Sequence, residues 1–285
     1  MTFSAEQLAQ NSDFPASLQY LARELRGMFD GGPRLARLLA SHQRWLLTQT
    51  AYALHLEYDP SDPSSGLTAV RLREAITKHR IASRNTVLSF IDELTTYRFI
   101  SPSAEPKRRP RRFEPAEVSS TAMVGWLSAN LAALDLLDNG ERARILGSRP
   151  EIFRLAQPRL ARNCLENAAW REPPERVALF LWTEAGGLVV DHLISKLDLA
   201  SANGERLDVG QVDTRTLASQ FMISRTHLQR LFARAAGKSC LGWHGERRKT
   251  HVWLSRDFLD EYCAWQAIKF SLVDEAFHWA VSALE

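Results

Sequence analysis

Hydrophobic and polar positions follow helical spacing along most of the chain, and one such pattern occurs twice. It occupies residues 83–94 (SRNTVLSFIDEL) and residues 224–235 (SRTHLQRLFARA). In each copy, a serine suited to cap a helix N-terminus precedes apolar residues at the i, i+3, i+4, i+7 spacing that buries one stripe of a helix. A shorter amphipathic helix comes before each copy and a basic, turn-rich stretch comes after it. The sequence therefore predicts a helix-turn-helix with a basic hairpin, present twice.

The other apolar patterns are also helical and repeat in the same order. A long apolar helix is expected before each repeat, and Gly186-Gly187 in the second of these favours a kink or a tight helix contact. Residues 59–66 and 200–212 are predicted to be polar loops. The predicted helices are residues 18–29, 34–58, 69–79, 84–98, 119–137, 175–199, 215–221, 225–236 and 256–284, with two short helical patterns in residues 141–171.

These elements predict a mostly α protein with two tandem winged helix-turn-helix domains whose wings are small β-hairpins. A chain of 285 residues is long enough for two domains of ordinary size. We place a boundary at Pro173-Pro174. The expected parts are an N-terminal winged-helix domain with its leading helices (1–140), a helical connector (141–173) and a C-terminal winged-helix domain (174–285).

Charge is distributed unevenly along the chain, although its net value is only +3. Residues 78–112 hold nine Lys and Arg against three Asp and Glu, and residues 215–256 hold nine against one. The rest of the chain is therefore net acidic. Two basic stretches on an acidic scaffold are typical of two nucleic-acid-binding surfaces, and we expect the partner to be double-stranded DNA.

The most basic tract follows the first repeated helix. Five of the seven residues 106–112 are Lys or Arg, between the apolar positions Ile100 and Phe113. In isolation, such a tract is more often a solvated loop. Directly behind a recognition helix, it is better explained as the tip of a wing that reaches the phosphate backbone or the minor groove. Residues 239–255 show alternating arms around a glycine-containing basic tip, which predicts a second wing.

This layout resembles the MarR-type winged helix-turn-helix regulators, in which long terminal helices join two subunits. The resemblance implies that both halves of such a dimer lie in one chain, as a monomeric pseudo-dimer joined by its long helices. Residues 216–239 are also similar to the first helix-turn-helix of AraC-type regulators. Residues 242–255 then continue as a wing instead of a second helix-turn-helix, so winged helix is the better description.

The polar faces of the repeated helices and the basic wing tips supply the candidate DNA contacts. Arg can read guanine, and Asn or Gln can read adenine, through paired hydrogen bonds. The two helical faces differ in sequence, so an asymmetric site is expected. The candidates are Arg84, Asn85, Thr86, Ser89, Lys107, Arg108, Arg109, Arg111 and Arg112 in the first half, and Arg225, Thr226, His227, Gln229, Arg230, Arg247, Arg248 and Lys249 in the second.

Catalytic and metal-binding motifs are missing from the sequence, so we expect no enzyme, no cofactor and no metal. His244 and His251 could be metal ligands, but phosphate contact or plain surface explains them better. Cys240 and Cys263 could sense oxidants, although a cysteine beside Leu241 is more often an inert core residue. With no signal pattern, no apolar run of spanning length and an odd number of cysteines, we expect a cytoplasmic protein without a membrane contact.

Six of the tryptophans fall on the long helices or their connectors: Trp45, Trp126, Trp170, Trp182, Trp265 and Trp279. The resemblance implies a pocket for a small aromatic or apolar effector where these helices meet the DNA-binding lobes. Burial of indoles in a large helical interface explains the same residues without a ligand.

The sequence as a whole predicts a sequence-specific DNA-binding transcriptional regulator. Its two recognition helices would enter adjacent major grooves, and its two basic wings would contact the backbone or minor groove. One alternative is an architectural or replication-type winged-helix protein that binds nucleic acid non-specifically or binds partner proteins. The other is an enzyme of unrecognised type, for which a catalytic set of residues is the missing feature.

Overall fold

The computed structural model describes residues 2–33, 40–62, 64–104, 110–200, 204–245 and 251–285. The described part is mostly helical, as the sequence predicts. Its helices are α1 (Ala5–Gln10), α2 (Phe14–Gly31), α3 (His42–Leu56), α4 (Ala69–Lys78), α5 (Arg84–Thr96), α6 (Glu117–Asp138), α7 (Arg142–Ser148), α8 (Glu151–Glu166), α9 (Ala168–Arg171), α10 (Glu175–Leu181), α11 (Gly186–Ser195), α12 (Thr214–Gln220), α13 (Arg225–Gly237) and α14 (Arg256–Ser282).

Six short strands of the described residues form two small antiparallel sheets. They are β1 (Leu67–Thr68), β2 (Ile100–Pro102), β3 (Arg112–Pro115), β4 (Arg206–Gln211), β5 (Leu241–Trp243) and β6 (His251–Ser255). The strand order is β1-β3-β2 in the first sheet and β4-β6-β5 in the second. In each sheet, the last strand in sequence therefore lies in the middle and pairs with both others.

The two sheets belong to two units with the same order of elements. The first unit is β1, α4, α5, β2 and β3, and the second is β4, α12, α13, β5 and β6. Each is a strand, two helices and a two-stranded hairpin, and the first strand closes the sheet against the hairpin. Leu67 faces Phe113 in the first unit, and Leu207 faces Leu254 in the second.

The long helices pack against both units and share one continuous core with them. The buried residues of the two units and of the helices around them form a single cluster. At its centre, α8 packs against both α3 and α14, because Ile152, Ala156 and Leu160 repeat at helical spacing and are buried. Residues 141–171 are thus part of the core, and they contain three helices where two were predicted.

The predicted helix 175–199 is in fact two helices. α10 and α11 are separate and bent by 112°, so the kink expected at Gly186-Gly187 is a complete break. A Cβ at Gly186 would lie 1.8 Å from the carbonyl oxygen of Phe180, and one at Gly187 would lie 2.5 Å from that of Ala40. The two glycines are needed because the backbone approaches too closely for any side chain.

Two further sequence predictions were wrong in extent. Residues 40 and 41 interrupt the helix predicted at 34–58, and α3 begins at His42, where the Ser41 side chain accepts from the Arg44 amide. Residues 34–39 lie outside the described residues. The loop predicted at 200–212 contains β4. This strand was missed because a register shift between Asp208 and Gly210 interrupts its alternation.

One described helix is long and apolar enough to cross a membrane by length and composition alone. It is α6, contrary to the expectation that no apolar run approaches that length. Met123, Leu127, Leu131 and Leu134 of this helix are buried in the protein core. Core helices pass the same test, so it is weak support for a membrane span.

Candidate functional site

The repeated helices α5 and α13 begin in the same way. The Ser83 hydroxyl accepts from the Thr86 amide at 3.2 Å, and the Ser224 hydroxyl accepts from the His227 amide at 3.1 Å. Each serine satisfies one of the amides that a helix N-terminus leaves without a partner. Both capping serines were identified correctly from the sequence.

The same two helices also end alike. Arg98 and Ser239 have positive φ values of 59° and 56°, and each lies at the same distance from its capping serine. The next amide turns back into the helix, from Phe99 to the Leu94 carbonyl at 2.8 Å and from Cys240 to the Ala235 carbonyl at 2.9 Å. This is a Schellman ending, and it directs the chain into the first strand of each hairpin.

Most of the described candidate contacts are exposed. Arg84, Asn85 and Ser89 are exposed on α5 with Thr86 half-buried, and Arg225, Thr226, Gln229 and Arg230 are exposed on α13. Buried residues occupy the opposite face of each helix, Val87, Phe90, Ile91 and Leu94 on α5 and Leu228, Leu231, Phe232 and Ala235 on α13. Each unit therefore presents the polar N-terminal half of its second helix to solvent.

The guanidinium groups of Arg84, Arg225 and Arg230 make no hydrogen bond or ion pair within the described ranges of the chain. α13 carries no acidic residue, whereas α5 carries an exposed Asp92 and a half-buried Glu93. Glu93 is held by Arg44 at 2.7 Å. The N-terminal half of each helix thus keeps unpaired positive charge, which suits an anionic partner.

Two of the candidate DNA contacts, Arg112 and His227, are less exposed than the sequence predicts. Arg112 is only 7% exposed; its guanidinium lies 3.9 Å from the centre of the Tyr58 ring and 2.8 Å from Glu114. It packs β3 against the loop before β1, where Gly66 leaves room for it. His227 is half-buried, and its Nε2 is buried. The exposed neighbours of these two residues are better placed to meet a partner.

Only the bases of the two hairpins lie within the described residues. Arg111 is exposed immediately before β3. The candidates Lys107, Arg108, Arg109, Arg247, Arg248 and Lys249 lie outside the described residues. The hairpin arms on either side are paired: Ser103 donates to the Arg112 carbonyl at 3.0 Å, and His244 donates to the His251 carbonyl at 2.8 Å.

A carboxylate lies between the two histidines at the base of the second hairpin. Asp208 Oδ1 is 2.9 Å from His251 Nε2 and 3.7 Å from His244 Nε2. Burial acts to raise the pKa of Asp208. The hydrogen bonds from His251 and the Gly210 amide, together with the charges of both histidines, outweigh it and lower that pKa. Within the described ranges, no group of His, Cys, Asp or Glu is arranged to hold a metal ion.

All three cysteines are buried. Burial raises the pKa of Cys240 to about 11 and that of Cys263 to about 12, and it raises the pKa of Cys164 further. The thiolate is the form that reacts with oxidants, and burial disfavours it. The geometry therefore favours the interpretation of these residues as core side chains.

A cavity of about 750 Å³ lies where the long helices meet. Four of the six tryptophans singled out from the sequence line it: Trp45, Trp126, Trp170 and Trp265. The rings of Trp170 and Trp265 are stacked with centroids 4.0 Å apart, and the Trp170 carbonyl accepts from Trp265 Nε1 at 3.2 Å and from His42 Nε2 at 3.0 Å. Burial lowers the pKa of His42 to about 4, so its ring is neutral.

The cavity also has a polar wall, which sequence reasoning missed. Gln266 Nε2 donates to the Tyr262 hydroxyl at 3.1 Å, and that hydroxyl lies 3.4 Å from Asp191 Oδ1. Lys269 lines the same wall and is 5% exposed. One signal was available: Lys269 occupies an apolar-stripe position of α14, in line with Tyr262, Trp265 and Val273.

No known family model, curated protein or solved structure matches this chain.

Proposed function

We propose that the protein is a sequence-specific DNA-binding transcriptional regulator acting in the cytoplasm, and that its two units are winged helix-turn-helix domains in one chain. In this account, α5 and α13 are the recognition helices. The β2–β3 and β5–β6 hairpins are the wings. Each recognition helix enters a major groove, and the basic wing tips contact the backbone or the minor groove.

The observation that carries the proposal is the repetition of one unit in detail. Both units have the same strand order, a capping serine before the second helix and a Schellman ending at the same distance after it. Both have a basic sequence between the hairpin strands. A generic helical protein can contain one such arrangement. Two matching arrangements support the interpretation that both units carry the same kind of binding surface.

The scaffold contacts support the same interpretation, because they tie the start of one recognition helix and the end of the other to neighbouring helices. Gln43 Nε2 donates to the Ile81 carbonyl at 2.8 Å, which ties the turn before α5 to α3. Lys238, at the end of α13, pairs with Glu175 of α10 at 2.6 Å. A rigidly held helix with a free polar face is suited to reading base edges.

The experiment is binding of the full chain to a random-sequence duplex library at two salt concentrations, followed by sequencing of the bound fragments. The proposal expects one asymmetric motif to be enriched and the affinity to fall steeply as salt rises. Salt-sensitive binding without enrichment would instead support the architectural alternative, and weak salt dependence would favour a protein partner.

A matched pair of variants makes this experiment specific. Arg84→Ala removes an exposed, unpaired arginine at the first turn of α5. Arg154→Ala removes an exposed arginine from α8, outside both units. The proposal expects the first variant to bind the selected duplex more weakly and the second to bind it as the unmodified chain does. Equal loss in both would show that only overall charge matters.

A further inference from the structure

The central cavity has the size and composition of a small-molecule site. Its volume of about 750 Å³ lies within the range of roughly 300–1,000 Å³ that is common for ligand pockets. Most of its lining is apolar, including the indoles of Trp45, Trp126, Trp170 and Trp265. Asp191, Tyr262, Gln266 and Lys269 form a polar wall, and other polar side chains, among them Thr48 and the exposed Glu117, lie elsewhere in the lining. Such a lining suits a planar apolar body with a polar group at one end.

Lys269 is the polar group that the protein leaves without a partner. Its ammonium lies 4.5 Å from the Phe270 ring centre and 5.8 Å from the Trp126 ring centre. In the described part of the chain, it makes no hydrogen bond and no ion pair. A buried ammonium without a partner is costly. An anion in the cavity would offset that cost and so favour the charged form of Lys269.

Other buried polar atoms of the cavity lining also lack hydrogen-bond partners in the described ranges: Thr48 Oγ1, Trp170 Nε1 and Gln266 Oε1. Asp191 is close enough to favour the charge of Lys269, but in the described residues it makes no ion pair with Lys269, and its Oδ1 lies 3.4 Å from the Tyr262 hydroxyl. What the cavity lining mainly lacks is therefore a hydrogen-bond acceptor that faces Lys269.

We propose that this cavity binds a small carboxylic acid with an aromatic, planar body, its carboxylate held by the Lys269 ammonium and its ring lying among the indoles. A cation of the same shape would be repelled by Lys269. A neutral analogue would keep the ring contacts but leave the ammonium without a counter-charge. This inference goes beyond DNA binding and does not depend on it.

The test is calorimetric titration of the free full chain with three probes of nearly the same shape. They are naphthalene-2-carboxylate, the neutral naphthalene-2-carboxamide and the cationic naphthalen-2-ylmethylammonium. We expect the carboxylate to bind most tightly. In Lys269→Met, its affinity should fall about ten- to hundredfold, the loss of one hydrogen bond to a charged group. The affinity for the carboxamide should stay nearly unchanged.

Two controls keep the result interpretable. Lys196→Met removes an exposed lysine outside the cavity and should leave all three affinities as they are. Gly125→Leu fills the cavity from α6, where a Cβ would meet only the end of the Met28 side chain at 3.4 Å, and it should abolish binding of every probe. Unfolding curves check that each variant is folded.

Equal binding of the three probes would overturn the proposal, and so would a carboxylate preference that survives in Lys269→Met. Failure of the folded chain to bind the carboxylate at millimolar concentration would overturn it as well. Because no DNA is present, none of these results bears on whether the chain binds DNA.

Discussion

Arg225 and Arg230 lie five residues apart on α13 and are both exposed, while the intervening Leu228 is fully buried. This alternation is a direct consequence of helical periodicity, and so the exposed face could be predicted residue by residue. The prediction was less successful at the edge of the face. His227 lies there, and its Nε2 is turned into the protein, a rotamer choice that periodicity does not determine.

At the residue scale, we expect Arg225→Ala to weaken binding to the selected duplex by about 1–3 kcal/mol, the value of one good contact to a base edge. The preference at one base position should be lost with it. The measurement is a titration of the selected duplex and of its single-base variants. Arg154→Ala is the control. A uniform loss across all duplexes would assign Arg225 to the phosphate backbone instead.

Lys269 leads to a prediction about pH and stability. Burial lowers its pKa to about 7, although Asp191 and Cys164, which face it, act in the opposite direction. In the unfolded chain its pKa is about 10.4. Between these values the unfolded chain holds a proton that the folded protein lacks, so the free energy of unfolding gains a contribution that rises with pH.

Urea unfolding at pH 7 and at pH 8.5 measures this contribution. The increase with pH should be larger in the unmodified chain than in Lys269→Met, and Lys269→Met should be the more stable protein at pH 7. Using the difference between the two proteins cancels the contributions of groups that do not interact with Lys269, such as Cys240 and Cys263. The same pH dependence in both proteins would show that Lys269 keeps its charge in the folded state.

At the scale of elements, local signals explain which predictions succeeded. α5 and α13 were located nearly to the residue because a capping serine and a continuous apolar stripe define each helix. Thr68 was expected to open a helix and does so, since its side chain accepts from the Arg71 amide at 3.2 Å. Yet Thr68 is also part of β1, which exists only because β3 returns beside it.

The break between α10 and α11 depends on contacts that a local pattern does not contain. Residues 175–199 have a continuous apolar pattern, and only the close approach of Ala40 and Phe180 to the two glycines requires the bend. The Gly187 amide donates to the Ala40 carbonyl at 3.3 Å. The sequence could indicate a kink there, but not its size.

Gly186→Ala tests this break. The new Cβ would collide with the Phe180 carbonyl, and we expect a loss of about 3 kcal/mol of stability. Gly125→Ala is the matched control, because α6 has room at that position; it should raise stability by about 0.5–1 kcal/mol through helix propensity. Urea unfolding of both variants gives the comparison. If both variants gain stability, the two helices can rearrange around the new methyl group.

At the scale of the whole molecule, the central cavity lies among helices that flank both units. It is lined by residues of α3 and α6, which flank the first unit, and of α11 and α14, which flank the second. Its four indoles are far apart in sequence, so no spacing could reveal that they enclose one space. A ligand there would contact the helices that set the position of both units relative to each other.

We therefore expect naphthalene-2-carboxylate to change the affinity of the chain for its selected duplex, by a factor that the ligand's unequal affinity for the free and DNA-bound forms determines. The measurement is a duplex titration with and without the carboxylate. Lys269→Met should lose most of the change and Lys196→Met should keep it. An unchanged affinity in the unmodified protein would mean that the cavity and the DNA surface are uncoupled.

The central claim is that two units in one chain read two different half-sites, and selection from a random duplex library tests it most directly. The experiment compares the unmodified chain with Arg84→Ala/Asn85→Ala in α5 and Arg225→Ala/Arg230→Ala in α13. The account predicts one motif with two unlike halves about one helical turn apart, and each double variant should relax a different half. A single half-site that both variants affect alike, or no enriched motif at all, would contradict it.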